Sequence, residues 1–301
     1  MSLDITALSD FNNETAAVYL EKAVNGGSTM EFITVKEGIK YKEPIGQIEV
    51  ELYIQNTDCP DPSGSLVLSD RDITVTPRVS FDGMCLDKLN KKALGVAALE
   101  AGSYNETFGL ADEYASQIVK QFQKSNDYFL WNATDGLRGL ISGSTAGVIT
   151  ATGSGSTAPA SGVMIDVVNS IVEQIPDEVN DREDLVVFMS IANLNKYKIE
   201  LTNSNNFHYN TSEEVKKGGG VSITHPTFSN INIVGTIGLS GSNRIVAGPA
   251  KQIVAGTDLL TDLEQFQIFY DLKDDKLYHR VKTKLGVQIA YPEFWVTNDR
   301  A

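Results

Sequence analysis

Cysteine and histidine are nearly missing from this 301-residue chain, which has two of the first and three of the second. Cys59 and Cys85 are too few for a disulfide framework or a thiolate zinc site, and both are expected to be reduced. His208, His225 and His279 are scattered and lack ligand-like spacing. Long apolar runs are also missing. No stretch approaches the roughly 18 apolar residues of a membrane helix. The opening MSLDITALSD has neither the basic start nor the apolar core of a signal peptide, so the expectation is a soluble chain made in the cytoplasm, with no membrane partner. Positive charge is short: 25 Lys and Arg against 39 Asp and Glu give a net charge of −14. That balance argues against a nucleic-acid binder, whose affinity comes from clustered Lys and Arg. It is compatible with a protein that faces nucleic acid without gripping it.

Catalytic signatures are absent as well. G-x-S-x-G, H-E-x-x-H and C-x-x-C do not occur. Lysine is absent between Lys124 and Lys196, which removes a phosphate-binding P-loop from the Gly/Ser/Thr-rich stretch 142–162 and leaves a surface loop with one short strand. Asp258 and Asp262 lie in GTDLLTDLEQF, where Thr257 and Asp258 suit the cap of a short helix. Asp274 and Asp275 suit a hairpin turn, and the charged runs 176–184 and 213–220 suit solvated loops. The chain is expected to be no enzyme and to need no cofactor or metal; a soluble hydrolase using an Asp pair is the alternative from another class.

What is present is organised around residues 103–132. Phe108, Ala111, Ala115, Ile118, Phe122, Ser125 and Phe129 recur at steps of three and four, one face of a helix, widened by Tyr114 and Val119. Ser103 and Glu106 form a capping-box pattern, and a helix of this span would run about 40 Å. Upstream, 8–24 reads as a short helix. Ile48, Val50, Leu52 and Ile54 alternate with polar residues, NTDCPDPSGS at 56–65 makes a tip, and Leu66–Val79 returns as a second strand. The product is a long two-stranded ribbon, marginal alone and in want of a surface to lie on. Residues 84–99 read as a helical or connecting segment.

Downstream, Val163–Ile175 reads as an amphipathic helix stopped by Pro176, and Leu185–Ile191 as a buried central strand. Leu194–Leu201 reads as helical, 203–228 as a long polar excursion, and Ile231–Leu239 and Ile245–Ala247 as strands. This makes 137–260 a compact α/β unit. Finally, Phe266, Ile268 and Tyr270 are expected to pair, through the turn Asp271–Lys276, with a strand whose Val281, Leu285, Val287, Ile289 and Tyr291 share one face. The long helix's apolar face is expected to receive both these strands and the ribbon's root.

The ordered set resembles a known family. A ribbon with a C-P-x-P-x-G tip leads through RDITVTPRVSFDGMCLDKL (71–89) to a helix ending DYFLWN (127–132). AGTDLLTDLEQFQIFYD (255–271) and KLGVQIAYPEFWV (284–296) follow. The chain resembles major capsid proteins of tailed bacteriophages with the Hong Kong 97 type fold, in finer detail those of crAss-like and related phages of Bacteroidetes hosts. The resemblance implies an α+β fold. Residues 1–30 would be an N-terminal arm, 31–80 an extended E-loop, and 81–136 a P-domain with a spine helix. Residues 137–260 would be an α/β A-domain, and 261–301 strands returning to the P-domain.

It also implies self-assembly into hexamers and pentamers of an icosahedral virion shell around double-stranded DNA, made in the host cytoplasm. Partners would be further copies, a portal, and scaffolding or decoration proteins, with no sequence-specific DNA contact. With about 30 residues before the ribbon, scaffolding is expected as a separate protein or not at all. Intersubunit contacts would fall at Asp58, Cys59, Asp61, Asp70 and Arg71 of the E-loop, and Phe122, Phe129 and Trp131 would pack at the domain junction. An encapsulin-like shell holding cargo enzymes shares the fold. Some relatives weld their shells from an E-loop lysine to a neighbour's asparagine; here no lysine lies between Lys42 and Lys88.

Overall fold

A computed structural model describes residues 28–52, 64–85, 110–204, 221–258, 266–271, 273 and 276–300. The described chain opens on a turn at Ser28–Met30 and a short strand β1 (Thr34–Lys36), then enters the ribbon, β2 (Lys42–Leu52) and β3 (Gly64–Thr74). These two pair antiparallel along their full eleven residues, from Lys42 opposite Thr74 to Leu52 opposite Gly64, and with no third strand among the described residues. The reach is about 35 Å.

The single strand expected over 66–79 is in fact two. It breaks at Val75, whose N–H donates to Tyr41 O at 2.9 Å and whose side chain is buried. From Thr76 the chain continues as β4 (Thr76–Cys85) in a different sheet. The tertiary partner Tyr41 is what local alternation does not reveal.

The long helix is described over Leu110–Asn132 (α1); Ser103, Glu106 and Phe108 lie outside the described residues, as does most of 84–99. Its buried positions are Val119, Phe122, Asn126, Asp127, Leu130 and Trp131. Ser125, expected on the apolar face, is exposed, so the stripe is rotated from the expected one. The cause lies in what covers each side. Arg78 from β4 occupies the Ser125–Phe129 side, while a six-stranded sheet, described below, takes Asp127 and Trp131.

After α1 come α2 (Leu137–Leu140), β5 (Ile149–Thr150), a 3₁₀ turn (Gly153–Ser156) and α3 (Met164–Val172). Then follow β6 (Leu185–Ser190), α4 (Ile191–Asn203), β7 (Val221–Thr224), β8 (Ile231–Thr236) and β9 (Val246–Pro249). The chain closes with β10 (Ile253–Thr257), β11 (Phe266–Asp271), β12 (Lys276–Ile289) and β13 (Val296–Thr297).

A six-stranded mixed sheet runs β5-β13-β9-β6-β8-β7. Every residue of β6 is buried, as its continuous apolar run demands. The strand separates two cores. Leu185, Val187 and Met189 pack with α3 and α4, while Val186 and Phe188 face Leu130, Trp131 and the second sheet. The caps of α3 and α4 come from side chains: Glu200 on α4 accepts from Met164 N at 2.8 Å, and Ser190 Oγ accepts from Asn193 N at 3.3 Å.

The second sheet has five strands around β12, which pairs antiparallel with β4, β10 and β11, while β1 adds to β10 in parallel. The β11–β12 hairpin follows the expected alignment, closing at Asp271 opposite Lys276. The two sheets are interlaced in sequence. β10 lies inside the span 137–260 yet belongs to the five-stranded sheet, and β13 lies inside 261–301 yet belongs to the six-stranded one. The chain therefore leaves the six-stranded sheet after Pro249 and returns at Val296.

The ribbon's root meets the five-stranded sheet rather than the long helix. Ile39, Ile73 and Val75 form a small buried cluster, and Ile39 N donates to Thr257 O at 3.0 Å. Gly256 and Gly286 are paired beneath it. A Cβ on Gly286 would collide with Thr74 O, and one on Gly256 would come within 2.8 Å of Ile39 and Ile73. Glycine at both positions is what lets the root cross the sheet at close range.

Candidate assembly surfaces

Of the expected ribbon contacts, Asp58, Cys59 and Asp61 lie outside the described residues. Asp70 is exposed and pairs in register with Gly46, and Arg71 is half-buried opposite Ile45. Both stand more than half-way along β3 from its start at Gly64, nearer the root than the tip. The described charges there are largely matched within the chain: Lys42 Nζ lies 2.5 Å from Asp72 and Lys36 Nζ 2.6 Å from Glu43. The hydrogen bond that Lys42 donates to Asp72 holds its ammonium pKa above the usual range.

A second surface lies on the five-stranded sheet. Phe81 stacks on Tyr278 (centroids 5.5 Å apart, planes 3° from parallel), and Tyr278 stacks on Phe269 at 5.6 Å. The row spans three strands, and Gly83 makes room for the Tyr278 ring. Phe81 is 60% exposed and Val79, two residues before it, 61%. Arg280 and Lys282 follow Tyr278 at alternate positions and share its face. Sequence reasoning missed this patch, although the alternation Val79-x-Phe81 was a signal for it.

On the sheet's other face Arg78 clamps α1. It donates to Ser125 O (3.1 Å), Ser125 Oγ (2.7 Å) and Asn126 Oδ1 (3.0 Å), and its guanidinium lies 4.4 Å from the centre of the Phe129 ring. Burial lowers its pKa from the ordinary value. A groove of about 680 Å³ runs beside it, lined by Pro77, Ile118, Phe122 and His279 among others. Phe122 is buried and lines this groove, and Phe129, half-buried, packs both under the Arg78 guanidinium and against the core that holds Trp131.

Trp131 is the residue at the joint between the sheets. It is fully buried, with its ring edge-on to Phe188 of β6 at 5.5 Å and its Nε1 donating to Thr29 Oγ1 at 2.9 Å. Gly238 accommodates it, since a Cβ there would collide with the indole. Beside it Asp127, 1% exposed, accepts from Ser28 Oγ (3.3 Å), Thr29 N (3.2 Å), Thr236 Oγ1 (2.5 Å) and Gly238 N (2.9 Å).

Asp258, considered above for a hydrolase, forms an ion pair with Lys284 at 2.8 Å; Asp262, Asp274 and Asp275 lie outside the described residues. Among the described residues no group of three His, Cys, Asp or Glu could hold a metal ion, and no helix is long and apolar enough to cross a membrane.

No family model matches the chain, and no curated protein matches it in sequence. Solved structures do match. A virus-like particle from Pyrococcus furiosus is similar over 95% of this chain and 98% of its own, at 13% identity and a TM-score of 0.53. The satellite phage P4 procapsid is similar over 93% and 89%, at 9% identity and a TM-score of 0.57. The capsid of a native GTA particle is similar over 92% and 89%, at 9% identity and a TM-score of 0.56. The likeness is one of fold: the chain has the mixed α+β fold of phage capsid proteins.

Proposed function

We propose that this chain is the major capsid protein of a tailed phage, many copies of which build hexamers and pentamers of an icosahedral shell around double-stranded DNA. The observation that carries the reading is coverage. The chain and a chain of the P4 procapsid match over about nine-tenths of both, so the likeness extends to the whole subunit rather than a shared module. The ribbon adds physical support, because a two-stranded sheet of eleven-residue strands has no reason to stand free unless a neighbour covers it. In this reading β2–β3 is the E-loop, α1 the spine helix, the five-stranded sheet the P-domain and the six-stranded sheet the A-domain. The tip residues Asp58, Cys59 and Asp61, with Asp70 and Arg71, meet the next subunit. The acidic chain, at net −14, contains packed DNA without binding it. Portal, scaffolding and decoration proteins complete the particle, and the narrower affinity to crAss-like phages rests on the sequence resemblance alone.

A shell that holds cargo instead of a genome is the second reading, since the near-complete mutual coverage with the Pyrococcus furiosus virus-like particle suits a shell of either content. Electron microscopy of the purified chain tests for a shell: closed particles are expected, and monodisperse monomers under all assembly conditions would end both readings. Nuclease-protected DNA inside native particles separates the first reading from the second.

A further inference from the structure

An acidic side chain near the C-terminal end of a helix sits at the unfavourable end of the macrodipole, and a buried one also costs desolvation. Asp127 is both: it lies about one and a half turns from the end of α1 and is 1% exposed. What it gains is four donors from two directions. Ser28 Oγ and Thr29 N arrive from the turn at the start of the described chain; Thr236 Oγ1 and Gly238 N arrive from the end of β8. Thr29 ties the arrangement together, because its Oγ1 lies 3.0 Å from Thr236 Oγ1 and accepts from Trp131 Nε1. Asn132 Nδ2 donates to Gly238 O at 2.6 Å on the same joint. The 28–29 turn thus supplies half of the donors to a carboxyl that also fastens the helix to the six-stranded sheet.

We propose that the Ser28–Thr29 turn is a detachable key for the joint between α1 and the six-stranded sheet. With the key seated, Asp127, Trp131 and Thr236 are all satisfied and the joint is rigid. Displacing the turn strips Asp127 of two donors and Trp131 of its acceptor, and the joint at Gly238 loosens. Any force on residues preceding Ser28 is thereby transmitted to the angle between the helix and the sheet. The inference does not depend on the shell reading.

The test is amide hydrogen exchange on the full-length protein. In Ser28→Ala/Thr29→Val, exchange at Gly238 and in the last turn of α1 is expected to rise about tenfold or more, the scale of losing one or two buried hydrogen bonds. Amides of β6 and α3 should keep their wild-type protection. Coupling is reciprocal, so Thr236→Val should in turn speed exchange at Thr29 and Met30. Asp127→Asn, which keeps the shape but presents an amide where donors converge, should loosen both sides together. Unchanged exchange at Gly238 in the double variant would overturn the proposal, and so would a uniform rise across both sheets, which would mark a general loss of stability. Protection of Thr29 that ignores Thr236→Val would overturn it too.

Discussion

At the scale of single residues, two buried side chains make demands that can be measured. Trp131 fills the joint between α1 and β6, has no exposed surface and spends its indole N–H on Thr29. Trp131→Ala removes the ring and leaves a cavity against Phe188, at a cost of about 3–5 kcal/mol. Insoluble or unassembled protein is expected, and wild-type yields of intact particles with an unchanged melting temperature would contradict the placement of Trp131 as the joint's anchor. His225 concerns pH. Its Nδ1 accepts from the backbone N–H groups of Thr227 and Phe228, its Nε2 faces Asn169 Oδ1 at 3.0 Å, and burial pushes its pKa down from 6.5 to about 4. The folded state therefore favours the neutral ring. The stabilisation is full above pH 6.5 and is lost as pH falls from there toward about 4, a swing on the order of 3 kcal/mol. The melting temperature should fall on acidification across that window, and His225→Gln should flatten the slope while lowering stability at pH 7. An identical slope in the variant would assign the acid sensitivity elsewhere, for instance to His279, whose pKa burial also lowers.

At the scale of elements, the ribbon is the part of the molecule without an internal purpose. Its root is fixed by Ile39, Ile73 and Val75 over the paired Gly256 and Gly286, but beyond that, among the described residues, β2 and β3 pair only with each other. Replacing Thr57–Ser65 with a short glycine linker should therefore leave the subunit folded, with native circular dichroism, while sedimentation shows monomers or loose capsomers. Complete shells of wild-type size and heat resistance from that variant would show that the tip is no intersubunit clasp. How far such elements could be read in advance depended on how local their causes are. The periodicity of α1, the apolar run of β6, the alternation of the ribbon and the β11–β12 hairpin are short-range patterns and were legible. The break at Val75 was not, because it is made by Tyr41 O across the ribbon's root. Neither was β10, a five-residue strand carrying a glycine, which joins its sheet only through distant β1 and β12. The Asp127 cluster joins residues about a hundred positions apart on either side, and only an aspartate at the wrong end of a helix hinted at it.

At the scale of the whole molecule, the proposed shell requires that cohesion between copies be assigned to a kind of bond. The ribbon offers no amine for welding beyond its base: Lys42 opens β2, the next lysine is Lys88, and Lys42 is held in an ion pair with Asp72. What remains for the proposed shell is area: exposed Val79 and Phe81 on the five-stranded sheet and the two faces of the ribbon, which would be repeated at every copy of a closed, symmetric assembly. Many modest contacts of this kind suffice because each subunit in a closed shell is held on several sides at once. The expected outcome is a non-covalent shell whose purified particles, boiled in detergent, run as a single band near 32.7 kDa with or without reductant. A ladder of multimers resistant to reductant would establish a covalent cross-link that uses no ribbon lysine, and the assignment of cohesion to buried area alone would fall.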